Sequence, residues 1–266
     1  MQWKDGINVD PSSSAKPAGS SYVLIRGLTR GRGHWGDFPS LLKKILRAED
    51  EIIFVDLPGN GETYLQRSPW QMRVAAEFCR DSVLKNKRTH NQVIVVAISM
   101  GAMAAVAWMQ NFPTEVHQAV LINTSSAAHS FFLHRFQLGS FFGNAKSFFA
   151  QDREKAILEI TSNHPERRAQ FLPELREYSA SHPVSPANAL RQIASAAFFG
   201  FPRQAPLRPE KILILTSTQD RLVKVSCSLA IAKAWHCQIS QHPTAGHDLP
   251  LDDSQWVADQ VLKFIT

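Results

Sequence analysis

Apolar residues along this chain recur at two alternating periods. Residues 22–26 are a short run of bulky and β-branched side chains, which predicts a strand. Over 37–47 the apolar positions Phe38, Leu41, Leu42 and Ile45 recur three and four residues apart, one face of a helix. A strand over 51–56 follows, ended by Pro58, Gly59 and Gly61, and then a helix over 70–84. Residues 92–98 are apolar toward both faces, the mark of a strand at the centre of a sheet. Behind them come a helix of small residues over 102–112, stopped by Pro113, and a strand over 118–123. The rhythm lapses after residue 124. It resumes with a strand at 211–216, a helix at 225–235, a strand at 237–242 and a closing helix at 253–265.

Strands alternating with helices predict the α/β class: a mostly parallel central sheet with helices on both faces. Residues 21–124 and 209–266 supply that core, and 1–20 read as an N-terminal lead-in. The interruption, 125–208, is expected to be a helical cap inserted between two sheet strands. It holds eleven of the sixteen phenylalanines and ten Arg and Lys against six Asp and Glu. A segment of that size cannot bury so many aromatic rings against itself. Some, with Phe131, Phe132, Phe136, Phe141 and Phe142 the candidates, are expected to line a pocket shared with the core.

Composition narrows the class of function. The chain of 266 residues is 44% hydrophobic and 20% charged, a globular balance. No stretch approaches the run of about 20 apolar residues that spans a bilayer. The first twenty residues lack signal-peptide architecture. The three cysteines, Cys79, Cys227 and Cys237, form no CxxC pair, which fits a reduced compartment, so a cytoplasmic location is expected. Net charge is +6, but no long basic block or basic helical stripe with interleaved aromatics accompanies it, so nucleic acid is not expected as a partner.

The candidate chemistry begins where the central strand ends, at Ala97-Ile98-Ser99-Met100-Gly101. A serine there can simply cap the following helix. It can also be a nucleophile, with the dipole and free N–H groups of that helix beside it. A serine hydroxyl needs a base, and the base an orienting acid. Asp220 follows the strand at 211–216, and His247 follows the last strand, in Ala245-Gly246-His247-Asp248. His242 is the rival base and Asp248 the rival acid.

The pentapeptide resembles the G-x-S-x-G nucleophile elbow of the α/β-hydrolases, with Ala97 in the first glycine place. The order Ser99, Asp220, His247 matches that family, and the resemblance extends from Tyr22 onward. It is strongest to capped carboxylesterases, thioesterases and pimeloyl-carrier-protein methyl ester esterases. It implies hydrolysis of carboxylic esters through an acyl-enzyme on Ser99, with no metal and no organic cofactor. It also implies an oxyanion hole made by the backbone N–H groups of Met100 and Leu28. Arg26 stands where the family usually has His, a departure in the loop's bracing. Asp56-Leu-Pro58-Gly59-Asn60-Gly61 resembles the family's D-x-P-G-x-G loop and reads as a structural rim.

Three further readings remain. Gly31-Arg-Gly33-His-Trp-Gly36 is a literal G-x-G-x-x-G with Asp56 twenty residues beyond it, the outline of a dinucleotide site. Four residues separate it from the strand, His34 and Trp35 are bulky, and Pro58-Gly59 turns the chain at once, so a glycine-rich loop beside the oxyanion site fits better. Positive charge in the insertion (Arg153, Lys155, Arg167, Arg168, Arg176) could meet an acidic carrier protein, making the substrate a thioester or carrier-bound ester. A ligand receptor on a hydrolase scaffold is the remaining alternative to a small-molecule ester hydrolase.

Overall fold

The computed structural model describes residues 19–88, 91–130 and 152–266. Six parallel strands form one sheet in the order β2-β1-β3-β4-β5-β6. They are β1 (Ser20–Ile25), β2 (Glu51–Val55), β3 (Gln92–Ile98), β4 (Val116–Ile122), β5 (Ile212–Ser217) and β6 (Gln238–His242). β3 is buried at every position after Gln92, as its two-faced apolar pattern predicts.

Alternate side chains of these strands build two cores. Val23, Ile25, Val95 and Ala97 point to one face, against α2 (Met72–Asn86), α3 (Met100–Asn111) and a later helix, Val225–Trp235, which we label α7. Tyr22, Leu24, Val96 and Ile98 point to the other, against α1 (Phe38–Ile45) and the closing helix α9 (Ser254–Ile265). The helix phase in α1 puts Phe38 and Leu42 at zero exposure, while Leu41 and Ile45 are partly covered.

Between β4 and β5 stand α4 (Arg153–Thr161), α5 (Pro165–Ser181) and α6 (Pro186–Phe198). Leu158, Phe171 and Leu175 share a small core with Leu251 of the short helix α8 (Leu249–Asp252). The five phenylalanines expected to line a pocket, from Phe131 to Phe142, lie outside the described residues, as does most of the lead-in.

The strand order places the site. From β1 the chain steps to β2 on one side, while β3 to β6 run to the other. Parallel α/β sheets open a crevice at such a switch point, beyond the carboxyl ends of the strands. Here that point lies between β1, which ends before Gly27, and β3, which ends before Ser99.

Candidate active site

Ser99 joins β3 to α3 with φ 56° and ψ −121°, a conformation that costs an L-residue strain. The turn is held by Ser99 N–H donating to Ile122 O at 2.9 Å and Thr124 Oγ1 donating to Ser99 O at 3.1 Å. Ser99 occupies the N-cap position of α3, yet its hydroxyl makes no capping hydrogen bond. The small residues of the motif have a steric cause. A Cβ on Gly101 would lie 2.5 Å from both Ile25 O and Arg26 O. A Cβ on Gly27 would lie 3.0 Å from Ser99 Cβ and 3.4 Å from the Met100 nitrogen. The loop carrying Leu28 therefore runs directly alongside the start of α3, whose first N–H groups have no acceptor within the helix.

Asp220 and His247 meet. The Nδ1–H of His247 donates to Asp220 Oδ2 at 2.8 Å, and both residues are buried. A carboxylate only accepts, so this bond fixes the ring tautomer and leaves Nε2 as the open acceptor. The other Asp220 oxygen accepts from the N–H groups of Leu222 and Val223 at 2.8 and 2.9 Å, which locks the carboxylate plane. Burial by itself pushes the His247 ring down. The Asp220 charge, its hydrogen bond and the Asp248 charge outweigh burial and the opposing Arg26, and hold the ring above the ordinary histidine value. Among the described residues no hydrogen bond joins Ser99 Oγ to His247; such contacts commonly tighten only around substrate.

The rivals are otherwise engaged. His242 Nδ1 accepts from Thr244 N and Ala245 N at 3.3 and 2.9 Å, and its Nε2 faces Asp253 at 3.2 Å. Asp248 takes Arg26 in a two-pronged ion pair of 2.9 and 2.6 Å. Burial opposes ionisation of Asp248, but the guanidinium wins and keeps it below the usual carboxylate range. Arg26 also lies 5.0 Å from the centre of the Trp35 ring. The residue before Gly27 is thereby tied to the residue after His247, and this is the bracing that Arg supplies where the family pattern has His.

Two buried polar residues that tie these loops together were not legible in the sequence. Asn123 has φ 44° at the end of β4 and donates from Nδ2 to Gly246 O and His247 O at 3.2 and 2.8 Å. Its Oδ1 accepts from Ser217 N at 2.8 Å, so one side chain joins the end of β5 to the loop that follows β6. Gln192 of α6 is buried and accepts from Thr29 N–H at 2.9 Å while donating to Asn60 at 2.7 Å. Asn60 in turn donates to Gly27 O and Arg30 O. The only signals available for them were an Asn closing an apolar strand and a polar residue on a helix's buried face.

The glycines of Gly31 to Gly36 serve protein contacts. A Cβ on Gly33 would overlap the Tyr178 ring, and one on Gly31 would fall 2.6 Å from Gly61 Cα. Asp56 is spent on the backbone N–H groups of Arg32 and Glu62, at 2.6 and 2.9 Å. It joins two loops, the structural role its motif suggested. Of the insertion's basic residues, Arg167 pairs with Asp37, Arg176 with Asp152, and Arg168 donates to Ser162 O. Among the described residues no group of His, Cys, Asp and Glu is placed to hold a metal, and no helix is long and apolar enough to cross a membrane.

With this geometry, the chain belongs to the alpha/beta hydrolase family, whose model matches residues 22–260. Its site is read as that of a hydrolase of this family. Similar solved structures include an esterase, RhEst1, from Rhodococcus sp. ECU1013, with 18% identity over 94% of this chain and 91% of that one and a TM-score of 0.72. A thermophilic esterase from Thermogutta terrifontis has 17% identity over 93% and 90%, with a TM-score of 0.66. The 2-hydroxy-6-oxo-6-phenylhexa-2,4-dienoate hydrolase of Rhodococcus sp. strain RHA1 has 16% identity over 94% and 92%, with a TM-score of 0.69. At such identities the likeness is one of fold. No curated protein sequence matches the chain.

Proposed function

We propose that the protein cleaves carboxylic esters through an acyl-enzyme on Ser99. His247 takes the hydroxyl proton through Nε2 as Ser99 Oγ attacks the acyl carbon. Asp220 holds the ring in the required tautomer and stabilises the imidazolium. The N–H groups of Met100 and Leu28 receive the negative charge that develops on the carbonyl oxygen. His247 then returns the proton to the leaving alcohol and activates the water that releases the acid. The observations that carry this reading are the buried 2.8 Å bond from His247 to Asp220 and, at the end of β3, a serine in the strained elbow conformation. Esterases are among the structures of similar fold, which is compatible with an ester substrate.

The test is turnover of p-nitrophenyl butyrate, together with labelling by a fluorophosphonate probe. Ser99→Ala is expected to abolish labelling and to lower kcat by about 10⁴-fold or more. Full activity in Ser99→Ala, or labelling that persists in it, would remove Ser99 from the mechanism.

A further inference from the structure

The helices between β4 and β5 reach the two loops that carry Asp220 and His247 through one short segment, residues 159–163. α4 ends there, and a helix end leaves carbonyl groups without partners inside the helix. These carbonyls are taken by the catalytic loops. Thr161 O accepts from Asp248 N at 2.7 Å. Arg221 Nη2 donates to Glu159 O and Ser162 O at 2.5 and 2.8 Å, a cation at a helix carboxyl end.

Asn163, two residues past the helix, links the loops directly. Its single Nδ2 group donates to Gln219 O at 3.0 Å and to Thr244 O at 3.1 Å. Its backbone N–H donates to Asp252 Oδ2 at 2.9 Å, and the same oxygen accepts from Gly246 N at 2.7 Å. Ser162 Oγ donates to the other oxygen of Asp252. Gly246 has no room for a side chain, because a Cβ would fall 2.5 Å from Thr161 O and 3.1 Å from Asn163 N. Both neighbours of Asp220, Gln219 and Arg221, are bonded to this segment. Both neighbours of His247, Gly246 and Asp248, are bonded either to it or to Asp252 behind it.

We propose that Asn163, backed by Asp252, is a positioning residue that sets the separation between Asp220 and His247, so that the helices over the sheet act on the chemistry as well as on substrate access. The inference rests on the serine-hydrolase reading above. Asn163 carries no charge. The charged groups facing His247 are Asp220, Asp248 and Arg26, and all remain when Asn163 is changed. Removing its side chain therefore acts on the ring only through the geometry of the pair.

The experiment compares Asn163→Ala with Asn163→Leu, which keeps roughly the same bulk but has neither the donor nor a charge. The assay is p-nitrophenyl butyrate hydrolysis, with thermal melts alongside. Both variants are expected to lose about tenfold in kcat, with KM within about twofold. The midpoint of the acid limb of kcat/KM should fall, and the low-field NMR signal of the His247 Nδ1–H should shift upfield or vanish. The proposal is overturned if both variants keep wild-type kcat. It is overturned equally if activity falls only with the folded fraction while midpoint and NMR signal stay in place. Ser99→Ala separates the two readings. If that variant stays active, the serine mechanism fails whatever Asn163 does. If it is dead while the Asn163 variants are unchanged, only the brace fails.

Discussion

The Arg26–Asp248 pair offers the sharpest test of the energetics. Its side chains are 3% and 4% exposed, and two hydrogen bonds of 2.9 and 2.6 Å join them. At an exposed site such a pair stabilises by about 0–1 kcal/mol. Here neither ion reaches water, so removing one partner strands the other in a medium that solvates it poorly. Arg26→Met leaves a buried carboxylate, and Asp248→Leu leaves a buried guanidinium; each should cost about 3–5 kcal/mol. That is a large part of a total stability of about 5–15 kcal/mol. It should lower Tm by roughly 10 °C. The double variant, Arg26→Met with Asp248→Leu, strands no charge and should lie within about 2 kcal/mol of the parent. Urea unfolding of all four proteins, compared at equal m-value, closes the cycle. Losses near 1 kcal/mol in each single variant, or a double variant as unstable as the sum of both, would refute the argument.

The pH profile of kcat/KM should rise through a midpoint above the ordinary histidine value, since the base must be neutral and Asp220 and Asp248 hold His247 up. Asp248→Asn removes one of those charges and leaves Arg26 opposing, so its midpoint should move down; an unchanged or raised midpoint would contradict the assignment. The same upward displacement stabilises the fold below the unfolded-state histidine pKa, and that contribution fades as pH rises through the folded one. Gly101→Ala gains helix propensity of about 1 kcal/mol, yet its methyl would meet two backbone oxygens of the β1 end at 2.5 Å. It should lose a net 1–3 kcal/mol, roughly, in chemical denaturation, and kcat should drop as the end of β1 and the loop after it shift; a stabilised, fully active variant would show that the elbow tolerates a side chain there.

Much of this was written locally. The strand at 92–98 has the bounds of β3, and the helix at 225–235 those of α7, because side-chain period reports burial whichever neighbour provides it. Ser99 at the sharp strand-to-helix turn, and the order of Asp220 and His247 after later strands, were equally plain, since each depends on residues close by in sequence. What the tertiary structure decided is which groups share a site. Asp248 reads as a second acid until the fold brings it to Arg26, 222 residues away. His242 reads as a second base until Asp253 and two backbone N–H groups occupy it. Asn123, Gln192 and Asn163 carry no chemical signature of their own; they matter because strand order sets one polar side chain between two loops. Hydrophobic period fixes which face of an element is covered. A hydrogen bond needs a particular atom within about 3 Å, and over long sequence separations that is settled only when the sheet assembles.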